Sequence, residues 1–303
     1  MRDGELVKEL ETGGLKAEIR KFFDLRLLVV YGFKEELKEK IKETAKREDV
    51  DCIKIKEHDK EIPGYYYKSK RLVYWQDISK IPDNYLEYLQ KKQRRRVKRL
   101  LEKGLTVKIE DPVSEETFKD WFILYKQKIG KKEKGVEYID KDWLKTSKSK
   151  KIGLFVYDKD ELIAGYIMIK KEKNNEEYLS TGYGGYKDGY FKEGISHFLI
   201  YSFIDFARKR YKLISAGKDT NFYGHHLSSG LFLFKKEWGF VPEPTEEFEH
   251  FRILNYDKFE DVFLFISGKE KLVLNLFFRE EIDEKKVENY RNNEVYELKV
   301  HKI

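Results

Sequence analysis

The sequence predicts a mixed α/β fold whose sheet is mostly antiparallel and flanked by helices. Three observations carry this. Three apolar runs, Gly153–Tyr157, Glu161–Ile169 and Tyr178–Tyr186, are separated by the turn residues Asp158-Lys159-Asp160 and Lys173-Asn174-Asn175 and read as a meander. A strongly periodic helix follows over 195–211, with Ile195, Phe198, Leu199, Phe203 and Phe206 on its inner face. After a further strand at Leu213–Ala216, a second helix has both ends marked, by Ser228 or Ser229 at the N-cap and by Gly239 beyond the C-terminus. Leu227, Leu231, Phe234 and Trp238 form its expected buried stripe, which Lys235 borders.

Composition narrows the class. At 303 residues the chain has room for one large or two medium domains. Hydrophobic residues at 40% and aromatics at 15% supply a core, while charged residues at 39% exceed the usual share of about 25%. The excess is mostly Lys and Glu, with one Cys and two Met, a composition common in heat-adapted proteins. With 62 basic against 55 acidic residues, the net charge of +7 is a mixed surface and not a nucleic-acid signature. Cys52 stands alone, which excludes an intrachain disulfide or a thiolate metal site, and is expected as a small buried apolar residue. No apolar run approaches the roughly 18 residues of a membrane span and no signal peptide is read, so the expectation is a cytoplasmic protein. No metal is expected. His225 and His226 are adjacent and point to different faces, and no His-Glu-x-x-His spacing exists. A Gly-x-Ser-x-Gly elbow is absent too, which leaves a serine triad without support.

In chain order, residues 1–84 read as a small α/β subdomain: a strand at Leu25–Tyr31, a helix at Glu35–Arg47 with Leu37 and Ile41 inward, and strands at Cys52–Ile55 and Leu72–Tyr74. Gly64-Tyr65-Tyr66-Tyr67 is either a packed strand or a binding edge. Pro82-Asp83-Asn84 then breaks the chain before a helix over Tyr85–Lys103 that Gly104 ends. Its middle carries Lys91, Lys92, Arg94, Arg95, Arg96, Lys98 and Arg99, either a solvated face or a phosphate-binding surface. Ser114–Gln127 is a helix with Phe118, Trp121, Phe122 and Tyr125 inward. Beyond Pro244, strands are expected at Phe248–Leu254, Val262–Ile266, Lys271–Phe278 and Val295–Val300, with a short helix at Asp283–Tyr290. The expected division is 1–84, a transferase domain at 85–257, and a C-terminal extension at 258–303 that packs on the N-terminal subdomain.

Two loops concentrate chemistry. Residues 217–226 follow the strand Leu213–Ala216 at its carboxyl end, where open α/β sheets bind ligands, and gather Asp219, Asn221, Tyr223, His225 and His226. Residues 187–194 precede the long helix, whose free N–H groups and dipole favour an anion. Lys187, Gly189, Lys192 and Gly194 suit that task.

Phe234-Lys235-x-x-Trp238-Gly239-Phe240, after a small-residue helix start, resembles the closing helix of Fem-type aminoacyltransferases and of their relatives in the GNAT acyltransferase superfamily. Arg95-Arg96-Val97-Lys98-Arg99-Leu100-Leu101-Glu102-Lys103-Gly104, followed by Leu105–Ile109, resembles the basic helix and strand of the Fem family. Ala164-Gly165 resembles the second meander strand of GNAT proteins. The resemblance covers roughly residues 85–257. The usual GNAT loop pattern (Gln/Arg)-x-x-Gly-x-(Gly/Ala) is absent, as in the Fem branch, where the loop is degenerate.

The resemblance implies a GNAT-like sheet, with a reduced second half formed by the N-terminal unit and the C-terminal tail. It implies an N-acyltransferase that forms an amide from an acyl-CoA thioester, acetyl-CoA first among them, and an amine-bearing small molecule or peptide. Lys235 would stabilise the oxyanion, Asp219 would act as base or orient the amine, and Tyr223 would donate a proton. Tyr183, Gly184, Lys187, Gly189, Lys192 and Gly194 would hold the donor. Asn221, His225, His226, Arg95, Arg96 and Arg99 would contact substrate. An aminoacyl-tRNA donor is the alternative that the basic helix favours, and a non-catalytic nucleic-acid or protein binding module is the third.

Overall fold

Leu25–Tyr31 shows no polar alternation because both faces of its strand are covered. The computed structural model, which describes residues 4–131, 134–147, 149–281 and 284–303, places this strand in the first of two units. That unit holds the described residues up to 73 together with those of 218–303, and the second holds those of 74–217. Residues 218–257, expected with the transferase domain, thus belong to the first unit together with the C-terminal residues.

The first unit opens with a hairpin that the apolar pattern does not predict, β1 (Glu5–Thr12) and β2 (Leu15–Phe22). It continues with β3 (Leu25–Tyr31), α1 (Lys38–Arg47), β4 (Cys52–Lys56), β5 (Tyr66–Ser69) and the start of β6 (Arg71–Asp77). The chain then builds the second unit from α2 (Tyr85–Tyr88), α3 (Lys91–Glu102), β7 (Thr106–Glu110), α4 (Glu115–Gly130) and α5 (Trp143–Thr146). The meander β8 (Lys151–Asp158), β9 (Glu161–Lys173) and β10 (Glu176–Tyr186) follows, then α6 (Asp188–Phe191), α7 (Ile195–Ala207) and β11 (Leu213–Thr220). Back in the first unit come α8 (Ser229–Glu237), β12 (Val241–Pro244), β13 (Phe248–Ile253), β14 (Val262–Ser267), β15 (Val273–Phe278), α9 (Glu284–Glu288) and β16 (Glu297–Lys302). The expected start of the last helix, Asp283, lies outside the described residues.

In the first unit the strand order is β1-β2-β3-β4-β13-β5. The pair β3–β4 is parallel, and α1 makes the crossover that a parallel pair requires. Ala17, Ile19, Leu28, Val30, Ile53 and Ile55 pack with Ile41 and Ala45 of α1. The alternate residues Leu27, Val29 and Cys52 pack with Phe222, Phe251, Phe263, Phe265 and Phe277 in a separate cluster. Cys52 is buried there, and burial pushes its thiol pKa up, which makes it an inert filler. The tyrosine run is a packed strand: Tyr66 and Tyr67 pair with Phe251 and His250, and the Tyr66 ring lies edge-on to Phe265. β14, β15 and β16 form a separate sheet in which β15–β16 is parallel.

In the second unit the order is β6-β11-β10-β9-β8-β7. Ser114 caps α4 by accepting from Thr117 N–H at 3.2 Å, and Glu115 and Glu116 complement the helix dipole. Phe118, Trp121 and Tyr125 of α4 pack on Phe155 and Ile167, and Trp121 Nε1 donates to the Gly165 carbonyl at 3.0 Å. The expected single helix over 85–103 is two. Leu89 and Gln90 are extended, and Gln90 and Gln93 form a capping box that restarts the chain as α3. β10 and β11 are parallel and pair at Leu179–Ile214 and Ser180–Ser215; β10 is bulged against β9 between Ser180 and Tyr183. Meander, helix, parallel strand, helix is the GNAT-like order that the resemblance implies. The fold is mixed α/β, with antiparallel-dominated sheets and helices on their flanks.

Candidate active site

The helix α8 buries a different face from the one its apolar periodicity suggests. Phe232, Lys235 and Trp238 are buried, whereas Leu227, Leu231 and Phe234 are only partly so. Leu227 precedes the helix. Phe232 leads the inward face and packs on Tyr223, Tyr290 and Tyr296. Lys235 therefore lies within the buried face and retains 7% exposure. Its ammonium donates to Asp219 Oδ2 at 2.7 Å. The Tyr223 hydroxyl donates to the same oxygen at 2.8 Å. Three residues assigned catalytic roles from sequence thus meet at one carboxylate. A lysine at this depth is tolerable because its charge is matched.

The loop 217–226 is fixed from several sides. Asn221 has no exposure; its Nδ2 donates to the carbonyls of Ser69 (2.9 Å) and Ile266 (2.6 Å), and its Oδ1 accepts from Ile266 N–H (2.8 Å). The side chain expected to contact substrate instead pins the loop to backbone. Tyr223 exchanges both backbone hydrogen bonds with Leu264. Gly224, at φ +90°, runs so close to Phe263 that a Cβ there would lie 2.3 Å from the Phe263 Cβ, so no other residue fits. His225 Nε2 lies 2.7 Å from Asp24 Oδ1, and His226 stacks on Phe23. Both histidines anchor the loop to the β2–β3 turn. Tyr223 has no exposure either, so its hydroxyl meets Asp219 from inside the fold and orients the carboxylate.

The second unit joins the basic helix to the loop expected to hold the donor. α3 packs on α7. Gly194 is the N-cap of α7 at φ +99°, and a Cβ there would sit 3.2 Å from the Arg96 Cβ. Arg96 donates to His197 Nε2 in the first turn of α7, so that ring is neutral with its proton on Nδ1. Burial first, then the charges of Arg96 and Lys92, hold the His197 pKa down at about 4. Lys91, Lys92, Arg95, Arg96 and Arg99 line a groove of about 420 Å³ on this helix. The other expected donor contacts are spread out. Lys187 pairs with Glu161, Gly189 lies inside α6, and Lys192 is an exposed residue at the end of α6. Tyr183 packs edge-on to Trp143 within the aromatic cluster under α4, and the Gly184 carbonyl accepts from Lys128 at 3.1 Å. Sequence reasoning missed His197, whose signal was its position in the first turn after Gly194. Among the described residues no group of His, Cys, Asp and Glu is placed to hold a metal ion, and no helix is long and apolar enough to cross a membrane.

No protein-family model matches the chain, and no curated protein matches it. Among solved structures, L-PGS from Bacillus licheniformis is 17% identical, with 81% of this chain and 83% of that one covered and a TM-score of 0.44. FemX is 16% identical, with 84% and 87% covered and a TM-score of 0.45. A GCN5-related N-acetyltransferase from Anabaena variabilis is 12% identical, with 87% and 69% covered and a TM-score of 0.36.

Proposed function

We propose that the protein is an amide-forming acyltransferase of the Fem-type GNAT branch, with acyl-CoA as donor and an amine-bearing small molecule or peptide as acceptor. The observation that carries this reading is the buried Lys235–Asp219 pair, oriented by Tyr223, on the helix whose Phe234-Lys235 sequence resembles the family's. The acceptor nitrogen attacks the carbonyl carbon of the thioester, and the π pair moves to oxygen. The Lys235 ammonium, held in place by Asp219, stabilises that oxyanion, a term worth about 10²-fold or more in rate for one such donor. As the tetrahedral adduct collapses, the C–S bond breaks and the nitrogen loses a proton to Asp219. The same proton then neutralises the departing thiolate, so the pair returns to its starting state. Within the second unit, the N-terminus of α7, with Arg96 beside Gly194, has N–H groups and positive charge that suit a phosphate.

A specific observation favours a second donor. The row of Lys91, Lys92, Arg95, Arg96 and Arg99 along one groove suits a polyphosphate backbone and supports aminoacyl-tRNA. The test is transfer of label from acetyl-CoA, and separately from charged tRNA, to amines in a cell extract, scored as alkali-stable amide. Label from acetyl-CoA supports the first reading. Label from charged tRNA that ribonuclease abolishes supports the second. Transfer from neither, with RNA or protein retained on the purified chain, would make it a binding module.

A further inference from the structure

Glu87 divides the charges of α3 between two faces. It pairs with Arg94 at 3.1 Å and with Lys98 at 3.0 Å. Lys91, Lys92, Arg95 and Arg99 are exposed and have no ion-pair partner among the described residues. With Arg96 they line the α3 groove, at the spacing of one helix face over about 12 Å. Unpaired positive charge along a concave surface calls for an anion, and the length has room for more than one phosphate. Arg96 is the exception in this row, because it also donates to His197 Nε2. His197 retains 7% exposure and lies in the first turn of α7, where the helix dipole disfavours a cation.

An imidazole nitrogen has one lone pair. Nε2 can accept from Arg96 or bind a proton, and not both. A phosphate is the stronger partner for a guanidinium, because it is charged and accepts two hydrogen bonds at once. We propose that anion binding in this groove is coupled to protonation of His197: a phosphate that takes the Arg96 guanidinium frees Nε2, and the ring takes up a proton from solvent. The coupling presupposes that α3 binds phosphate; it does not presuppose acyl transfer. The charges acting on His197 are those of Arg96 and Lys92. The other elements packed on α7 are α6, β8, β9 and β10. Among the acidic groups on them and at their ends, Asp158 accepts from Tyr190 at 2.5 Å, Glu161 pairs with Lys187, Asp188 with Lys131 and Glu193 with Lys103. Tyr186 of β10 bonds to Ser196, next to His197.

Titration calorimetry of the whole chain with an oligothymidylate lacking terminal phosphates tests this. Run at low salt in buffers of different ionisation enthalpy, it counts the protons taken up on binding. The phosphodiesters and thymines of this ligand do not titrate between mildly acidic and neutral pH, so uptake belongs to the protein. In the free protein, burial first and then Arg96 and Lys92 hold His197 at about 4 against an ordinary 6.5. Binding raises that value. Affinity is therefore expected to be level above 6.5 and to climb as pH falls toward about 4, by about tenfold for each unit that the value gains. His197→Gln is expected to bind with no proton uptake and no such climb. Should that variant not fold, Arg96→Ala decides, with weaker binding and no proton taken up. No binding of oligothymidylate, binding without proton uptake, or uptake that persists in either folded variant overturns the proposal. The first outcome also removes the phosphate reading of α3; the other two leave it standing.

Discussion

Lys235 keeps its place because two different forces act on one side chain. Phe232 and Trp238 on either side bury the face, and Asp219 neutralises the charge that this burial would otherwise strand. Lys235→Met alone leaves the Asp219 carboxylate without its cation and is expected to cost on the order of 3 kcal/mol. The double variant Lys235→Met with Asp219→Asn removes both charges and is expected to recover most of that loss, read from urea midpoints. Equal destabilisation in both would show that the pair's charge is not what the fold responds to. Asn221 is the contrasting residue: with its amide committed to Ser69 and Ile266, Asn221→Ala is expected to cost about 3 kcal/mol or more and to leave turnover of the folded protein unchanged. Sequence reasoning singled out Asp219 and Tyr223 because unusual residues cluster in one loop, and Lys235 because Phe234-Lys235 resembles the Fem family's closing helix. It placed Lys235 beside the wrong stripe because periodicity scores a lysine as polar and cannot see its partner sixteen residues earlier.

At the scale of elements, α3 and α7 act as one device. Arg96 reaches from one helix to the first turn of the other, beside a glycine whose φ of +99° a side chain resists. Gly194→Ala is expected to cost about 1–2 kcal/mol from that conformation. Arg96→Ala removes one of the charges that depress His197, so the ring's pKa is expected to rise from about 4, a shift that NMR titration reads directly. Replacing Arg95 and Arg99 by Ala is expected to weaken binding of a phosphate-bearing donor and to lower the salt slope by about one for each phosphate no longer neutralised. An unchanged slope would make this face of α3 solvated surface.

Strongly patterned elements were legible: the meander, α7 and α4 lie close to where alternation and 3.6-residue periodicity put them. The hairpin β1–β2 was not, because β1 is exposed at most positions and carries no apolar period; the Gly13-Gly14 pair was its one signal. The break at Leu89-Gln90 was invisible for the opposite reason, since Leu89 is buried and fits a helical stripe until the Gln90–Gln93 capping box takes over.

For the molecule as a whole, sequence order hides the division, since residues 74–217 interrupt a unit whose parts lie on both sides of them. The periodicity that marks single elements carries no information on such long-range assembly. The depressed buried groups set the response to acid. His197 and His250 take a proton near 6.5 when unfolded but only near 4 when folded, burial being the main cause, so stability is full above about 6.5 and falls as pH drops toward 4. Glu249 adds stability that is full above 4.5 and is lost as pH falls toward about 2. Thermal midpoints are therefore expected to be level near neutrality and to fall progressively below about pH 6.5; a midpoint that rises on acidification would contradict these assignments. Lys235 is the residue that we propose carries the chemistry. The most direct measurement is the kcat of Lys235→Met, verified as folded by circular dichroism, on whichever donor and amine the wild-type protein joins. A fall of about 10²-fold or more at a nearly unchanged KM for the donor is expected. A folded Lys235→Met that retains wild-type kcat would contradict it.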